Sequence, residues 1–204
     1  MIRASAWGFV LLGLFLLLGY LVDDSQWVLD VVVSDAVSGF WQTGPGRVVS
    51  VLTDVLGPVL PIVMFFALVA AAIRVRGDAW SVNVLLRCIV LLAACRAVSL
   101  FKTVFARDRP RAYVDFSYPS GHVVSVASVA FTSIVLCAWL AARLVRRVMV
   151  IAVVLVVIAA TFRILLDVHW LTDVLGGTVG VTGVGLVVAA ALRLLPVRQR
   201  RVSE

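Results

Sequence analysis

The chain has 204 residues, of which 63% are hydrophobic and 14% are charged, and its mean hydropathy is +1.11. Soluble domains are nearer half apolar and a quarter charged, so these values exclude soluble, disordered, collagen-like and disulfide-stapled proteins. The formal net charge of +7 comes with no Lys- or Arg-rich face or run, which argues against nucleic acid as a partner. The sequence predicts an all-α, polytopic membrane protein with a single domain over 1–204.

Six apolar segments approach the roughly 20 residues that a helix needs to span a bilayer. The first follows Arg3 and could imitate a signal peptide, but it ends without a clear cleavage site, which favours a retained helix. We therefore predict a six-transmembrane-helix bundle with spans at about 5–22, 57–73, 84–101, 121–142, 148–166 and 170–195.

The positions of the charged residues predict the orientation of this bundle. With a cytoplasmic N-terminus, most arginines lie inside and most aspartates lie outside. We expect both termini in the cytoplasm and the loop that holds Lys102 and Arg109 outside. The chain has 17 Arg and a single Lys, a bias typical of a high-GC genome, which indicates a bacterial plasma membrane.

Between the first two spans, the outer segment 23–56 mixes Trp27 and Trp41 with Asp30 and Asp35. This mixture suits a short helix in the outer interface with its tryptophans at headgroup depth, and it suits a loop packed over the bundle equally well.

Two groups of small residues are interpreted as packing features. The glycines of the last span allow close helix contact, and we expect them to pack inside one bundle rather than at a dimer interface. Cys88, Cys95 and Cys137 lie in apolar runs, which favours small buried hydrophobes over a disulfide or a metal site.

Three segments carry polar residues that a membrane bundle does not need. Lys102 and Arg109 are seven apart, so a continuous helix would place both on one face, where they could grip an anion or anchor to lipid headgroups. Pro119-Ser120-Gly121-His122 opens the fourth span. A helix N-terminus suits phosphate, and Ser120 is placed to cap that helix or to donate its hydroxyl.

The third segment holds Arg163, His169 and Asp173. A carboxylate four residues after a histidine can hold one imidazole nitrogen and leave the other as a base or nucleophile. Alone, this pattern fits a structural Arg–Asp pair. However, both histidines and the only lysine of the chain fall in these three segments, and this combination predicts phosphoryl transfer through a phosphohistidine. No metal-ligand spacing competes with that prediction, so we expect no cofactor.

The three motifs strongly resemble those of the type 2 phosphatidic acid phosphatase superfamily, which includes the vanadium haloperoxidases. Its signatures K-x6-R-P, P-S-G-H and S-R-x5-H-x3-D correspond to Lys102 with Arg109-Pro110, to 119–122, and to Arg163, His169 and Asp173. A haloperoxidase is disfavoured because those relatives are soluble.

The resemblance implies a role for each residue. His169 would be the nucleophile, Asp173 would orient it, and His122 would serve as general acid and then general base. Phosphate oxygens would be bound by the remaining motif residues: Lys102, Arg109, Ser120, Gly121 and Arg163. No metal would be required, and vanadate would imitate the transition state.

Two positions depart from the family pattern. Phe162 stands where the family usually has Ser, which puts a supporting hydrogen bond in doubt. Asp167 occupies a position often held by Gly; it could tune His169 or contact the leaving group, and we favour a side chain that faces water.

These observations predict a lipid phosphate or diphosphate phosphatase at the outer leaflet, whose partners are its lipid phosphate substrate and membrane lipids. The favoured substrate is a polyprenyl phosphate or diphosphate carrier, and phosphatidylglycerol phosphate or phosphatidate is the alternative. A lipid phosphotransferase and a non-enzymatic lipid-phosphate binder or transporter are the other classes.

Overall fold

The computed structural model describes residues 2–23 and 27–195, except the side chains of residues 55 and 56. Over this part of the chain the fold is helical and contains no strand. The helices are α1 Ile2–Val22, α2 Val28–Val37, α3 Gly44–Leu56, α4 Val59–Arg74, α5 Ala79–Arg96, α6 Lys102–Phe105, α7 Gly121–Leu140, α8 Val145–Leu165 and α9 Leu171–Ala191.

Among the described residues, six helical segments are long and apolar enough to cross a membrane, as the sequence predicted. The second is longer than predicted because α3 and α4 follow one another with only Gly57 and Pro58 between them. The third starts earlier than predicted, because the carboxylate of Asp78 accepts a hydrogen bond from Trp80 N at 3.2 Å and caps α5. The six segments are Ile2–Val22, Gly44–Arg74, Ala79–Phe105, Gly121–Leu140, Ala142–Leu165 and Leu171–Ala191.

Helix α9 packs against α1, α5 and α7, and its glycines make these contacts possible. A Cβ at Gly183 would lie 3.0 Å from Leu12 N, and one at Gly180 would lie 2.8 Å from the ring of Phe15. The glycines therefore pack inside the bundle, as expected. Cys88 and Cys95 are buried free thiols in the same core.

The outer segment forms two helices, and α2 lies across the ends of α8 and α9. The predicted short helix is thus present, and it also packs over the bundle. Its polar and apolar faces are reversed relative to a soluble surface helix: Asp30 is buried, whereas Val28 is 81% exposed and Leu29 is 59% exposed. The polar face of α2 therefore contacts the protein.

All three motifs meet at the end of the bundle that α2 covers. The stretch from Lys102 to Arg109 is not the continuous helix that would place both residues on one face. Helix α6 ends at Phe105, and Ala106 takes a left-handed conformation with φ of 45°. The chain then forms the α6–α7 loop, residues 106–120, and returns into the bundle at α7.

Candidate functional site

His169 lies in the turn between α8 and α9, in contact with Asp173 one helical turn later. The distance from His169 Nδ1 to Asp173 Oδ2 is 3.3 Å, and both side chains are buried. Because the carboxylate can only accept, the imidazole proton sits on Nδ1. This leaves the lone pair on Nε2, which lies 3.4 Å from a guanidinium nitrogen of Arg109.

Both carboxylate oxygens of Asp173 accept hydrogen bonds. Oδ2 accepts from Trp170 N at 2.8 Å and from the hydroxyl of Ser117. Oδ1 accepts from Arg107 Nη1 at 2.7 Å. A carboxylate with this many partners has little rotational freedom, so it fixes the orientation of His169.

The electrostatic surroundings of His169 keep its imidazole neutral. Burial of the side chain lowers its pKa well below the usual value, and the positive charges of Arg163, Arg109 and Lys102 lower this pKa further. His169 Nε2 is therefore available as a nucleophile at neutral pH and below.

Lys102 and Arg109 come together at the α6–α7 loop although they do not share a helix. Both donate to the carbonyl oxygen of Phe116, and both pair with the carboxylate of Asp115, Lys102 at 2.8 Å and Arg109 at 3.6 Å. Arg109 also donates to Val168 O at 2.8 Å, which ties it to the His169 turn. The two cations thus converge on one carboxylate beside His169.

Asp115 is more than half exposed, and its charge is stabilised by these cations. Its slight burial would raise its pKa, but the hydrogen bond from Lys102 and the charges of Lys102 and Arg109 outweigh that effect, so the pKa lies below the usual range. Burial lowers the pKa of Arg109, and the negative charge of Asp115 opposes this shift. The site therefore already holds one anionic group of the protein between two of its cations.

The Pro-Ser-Gly-His segment begins α7, with Ser120 at the N-cap. The prediction that Ser120 could cap the helix is wrong, because its side chain makes no capping hydrogen bond and its hydroxyl has no partner among the described residues. Its backbone N–H donates to Asp173 O at 3.1 Å. A Cβ at Gly121 would lie 3.4 Å from Lys102 Cε, so this segment borders both the cations and the His169 turn.

His122 points toward the end of α3. A Cβ at Gly57, which follows that helix, would lie 2.3 Å from its ring. Its Nε2 is 3.8 Å from Asp54 Oδ1, which is too long for a hydrogen bond. Within the described part of the chain, this buried nitrogen has no hydrogen-bond partner. It is therefore free to exchange a proton with a group that enters the site.

Arg163, in the last turn of α8, is buried, and its charge acts on His169. Its Nε has no hydrogen-bond partner among the residues described. Phe162, which replaces the usual Ser of the family, supplies no hydroxyl. Unpaired buried polar atoms are costly, and a phosphoryl group, which carries several acceptor oxygens, would pair with this donor and with the hydroxyl of Ser120.

Asp167 is 8% exposed and accepts a hydrogen bond from Ser34 Oγ at 2.6 Å. The expectation that it faces water is therefore wrong. Its φ of 52° lies in the left-handed region, which explains why glycine suits this position. The hydrogen bond ties the α8–α9 turn to α2.

Sequence reasoning missed Arg107, Asp30 and Thr172, which form a buried cluster behind Asp173. The available signal for Arg107 was its place between Lys102 and Arg109 in a loop with an excess of cations. Asp30 gave no such signal because its partners lie far along the chain. No group of three or more His, Cys, Asp or Glu side chains suited to a metal occurs among the described residues.

A pocket of about 470 Å³ opens beside these groups. It is lined by residues of the α6–α7 loop, including Arg107, Arg109, Tyr113 and Asp115. Tyr113 is half exposed and stacks with Arg109, whose guanidinium carbon lies 4.3 Å from the ring centre. The size and basic lining of the pocket suit a phosphorylated headgroup.

Comparison with known proteins identifies the class. The sequence model of the PAP2 superfamily matches residues 81–199, which include all three motifs, and the chain belongs to this family. A search of curated protein sequences found no match.

The fold is that of a solved membrane phosphatase. It superposes on the crystal structure of the first transmembrane PAP2 type phosphatidylglycerolphosphate phosphatase from Bacillus subtilis, with a TM-score of 0.76 and 22% sequence identity. The match covers 96% of this chain and 98% of that chain. At this identity the likeness establishes the fold, so the chain is a membrane protein with the fold of a PAP2 lipid phosphatase.

Proposed function

We propose that this protein is a metal-independent lipid phosphate phosphatase that acts at the outer leaflet of the plasma membrane through a phosphohistidine. One observation carries the proposal: Ser120 Oγ, His122 Nε2 and Arg163 Nε are buried without hydrogen-bond partners among the described residues, in the motifs that border His169. A bound phosphoryl group would pair with all three, and this pairing would offset the cost of burying them.

In the first step, His169 Nε2 attacks the phosphorus and the bond to the lipid oxygen breaks. His122, protonated at Nε2, gives its proton to that oxygen, so the lipid leaves as an alcohol or, from a diphosphate, as a monophosphate. Asp173 stabilises the charge that develops on His169 through the Nδ1 proton. Lys102, Arg109 and Arg163 neutralise the phosphoryl oxygens as their charge shifts.

In the second step, the now neutral His122 takes a proton from water. The resulting hydroxide attacks the phosphorus, the bond to His169 Nε2 breaks, and inorganic phosphate leaves. Both histidines return to their starting states, so one water is consumed for each phosphate released. The neutral His169 and the unpaired His122 Nε2 support these two roles.

The sequence favours a polyprenyl phosphate or diphosphate as the substrate, and this remains a prediction. Phosphatidylglycerol phosphate is the second candidate, favoured by the solved phosphatidylglycerolphosphate phosphatase that shares the fold. Both are anionic lipids whose headgroups would fit the basic pocket at the α6–α7 loop.

The test is phosphate release by the purified protein from polyprenyl diphosphate, phosphatidylglycerol phosphate and phosphatidate, in EDTA, with His169→Ala as the blank. We expect turnover of one lipid well above the others and none in the variant. Activity retained in folded His169→Ala would overturn the mechanism. Loss of activity in EDTA that Mg²⁺ restores would overturn metal independence, and phosphate release that falls when an acceptor lipid is added would identify a transferase.

The outer-leaflet assignment has its own test. Val114 is fully exposed in the α6–α7 loop, so a cysteine placed there in a cysteine-free background is open to a maleimide. We expect an impermeant maleimide to label Val114→Cys in intact cells. Labelling only after the cells are lysed would reverse the topology.

A further inference from the structure

Asp30 of α2 is a buried carboxylate with a partner for each oxygen. Oδ1 accepts from the backbone N–H of Thr172 at 3.0 Å. Oδ2 accepts from Thr172 Oγ1 at 2.6 Å and from Arg107 Nη2 at 2.9 Å. The side chain is 1% exposed, so these bonds replace its contacts with water.

Arg107 connects this carboxylate to the catalytic one. Its Nη2 donates to Asp30, while its Nη1 donates to Asp173 Oδ1 and to Thr172 Oγ1, each at 2.7 Å. One planar guanidinium therefore bridges two buried carboxylates, an arrangement that the fixed geometry of arginine suits. The chain of contacts runs from Asp30 through Arg107 to Asp173 and on to His169.

A second bond from α2 reaches the same turn. Ser34 lies one helical turn after Asp30 and donates to Asp167 Oδ1 at 2.6 Å. Asp30 is hydrogen-bonded to Thr172 and Ser34 to Asp167, so α2 is bonded to the chain on both sides of His169.

We infer that Asp30 is a positioning residue of the active site, which acts through Arg107 and Thr172 to set the contact between Asp173 and His169. The inference rests on the proposed function. Without the charge of Asp30, Asp173 is the one carboxylate left in this cluster to pair with Arg107, and Arg107 binds it more tightly. Asp173 then supports the proton on His169 Nδ1 less well, and attack by Nε2 slows.

The test compares Asp30→Asn with Asp35→Asn, which lies on the exposed face of the same helix. We expect Asp30→Asn to lower kcat about 10- to 100-fold, by analogy with metalloenzymes that lose a hydrogen-bond partner of a metal-binding side chain. KM should stay within about threefold, since Lys102, Arg109 and Arg163 are untouched. Asp35→Asn should behave as wild type.

A kcat equal to wild type in folded Asp30→Asn would overturn the inference. So would a rise in KM with kcat unchanged, because that result would place Asp30 in substrate binding. An inactive wild type, no better than His169→Ala, would instead overturn the proposed function and this inference with it. The wild-type measurement therefore separates the two failures.

A double-mutant cycle tests the route through Arg107. If Asp30 acts through that guanidinium, Asp30→Asn should add little to the loss caused by Arg107→Gln alone. Independent, multiplying losses would show that Asp30 acts in another way and would contradict the inference.

Thr172 offers variants that leave the buried charges in place, in case Asp30→Asn does not fold. Thr172→Val removes the hydroxyl that joins Asp30 to Arg107, and we expect kcat to fall about three- to tenfold by loss of its two hydrogen bonds to charged groups. Thr172→Ser keeps the hydroxyl and should restore most of the activity. Equal activity of the two variants would contradict the inference.

Discussion

The two sides of the site differ in how their charged groups are held. On the nucleophile side, both oxygens of Asp173 are bonded to buried donors, and His169 is fixed by them. On the anion side, Lys102 and Arg109 are paired with Asp115, a carboxylate that is more than half exposed. One side is built from buried contacts within the fold, and the other from a contact that solvent reaches.

This difference indicates which contacts can exchange when a substrate binds. In the proposed mechanism the cations release one anion and take another, so a partner that is more than half exposed suits them, because solvent weakens its ion pairs. In the same mechanism His169 keeps one orientation through both steps, so buried partners suit it. Four measurements test this contrast.

The largest effect is expected for Asp173→Asn. An amide can donate to His169 Nδ1 and so select the wrong tautomer, with the proton on Nε2, where the nucleophilic lone pair is needed. We expect kcat to fall about 10³- to 10⁴-fold, by analogy with the buried aspartate of serine proteases. Turnover within tenfold of wild type, in a variant with an unchanged thermal midpoint, would show that the nucleophile side is not held as described.

His122→Ala should cost about 10²- to 10⁴-fold in turnover of a lipid phosphate, the range for general acid–base catalysis. An activated aryl phosphate needs little protonation of its leaving group, so it should still phosphorylate His169. The phosphohistidine should then accumulate, because the base for the second step is missing. Trapping of labelled phosphoenzyme measures this accumulation. A variant that accumulates no phosphoenzyme would contradict the role of His122 as the base of the second step.

The protonation of His169 can be read directly because the chain has two histidines. In His122→Ala, nitrogen NMR of labelled histidine reports His169 alone. Burial and then the charges of Arg163, Arg109 and Lys102 lower its pKa, so the imidazole should remain neutral, with its proton on Nδ1, at pH values well below the usual pKa of about 6.5. A titration centred near 6.5 would contradict the buried, cation-rich surroundings.

The smallest effect is expected for Asp115→Asn. Removing the carboxylate frees Lys102 and Arg109 for a bound anion, and because solvent weakens the pairs of this half-exposed carboxylate we expect only about two- to fivefold tighter vanadate binding. Asp108→Asn, in the same loop and exposed, is the matched control and should leave the affinity unchanged. Weaker vanadate binding in Asp115→Asn would mean that Asp115 orients the cations rather than competing for them.

Much of this architecture could be predicted from the sequence because its signals are local. Six apolar runs indicate six spans, and the spacing of His169 and Asp173 over four residues indicates that they touch. The spacing of Lys102 and Arg109 would place them on one face only of a continuous helix, and it does not reveal that the chain turns at Ala106 into a left-handed conformation. The cations nevertheless meet, because the loop returns through Asp115 and Phe116.

The remaining parts of the site could not be predicted because they depend on contacts distant in sequence. Asp30 and Thr172 are 142 residues apart, and no periodicity connects them. Ser34 and Asp167 are 133 apart. In an outer segment with tryptophans, an aspartate is expected to face water. The burial of Asp30 therefore follows only from the way α2 packs on α8 and α9.

The contact of α2 with the α8–α9 turn has a consequence for biogenesis. Residues that hold His169 in place emerge from the ribosome near the beginning of synthesis, whereas the turn that they hold emerges near its end. Helix α1 is likewise synthesised long before α9, against which it packs. An arrested or shortened chain that ends before α9 thus carries the cation and Pro-Ser-Gly-His motifs without a fixed nucleophile, so hydrolytic competence arises only with the insertion of the last helix.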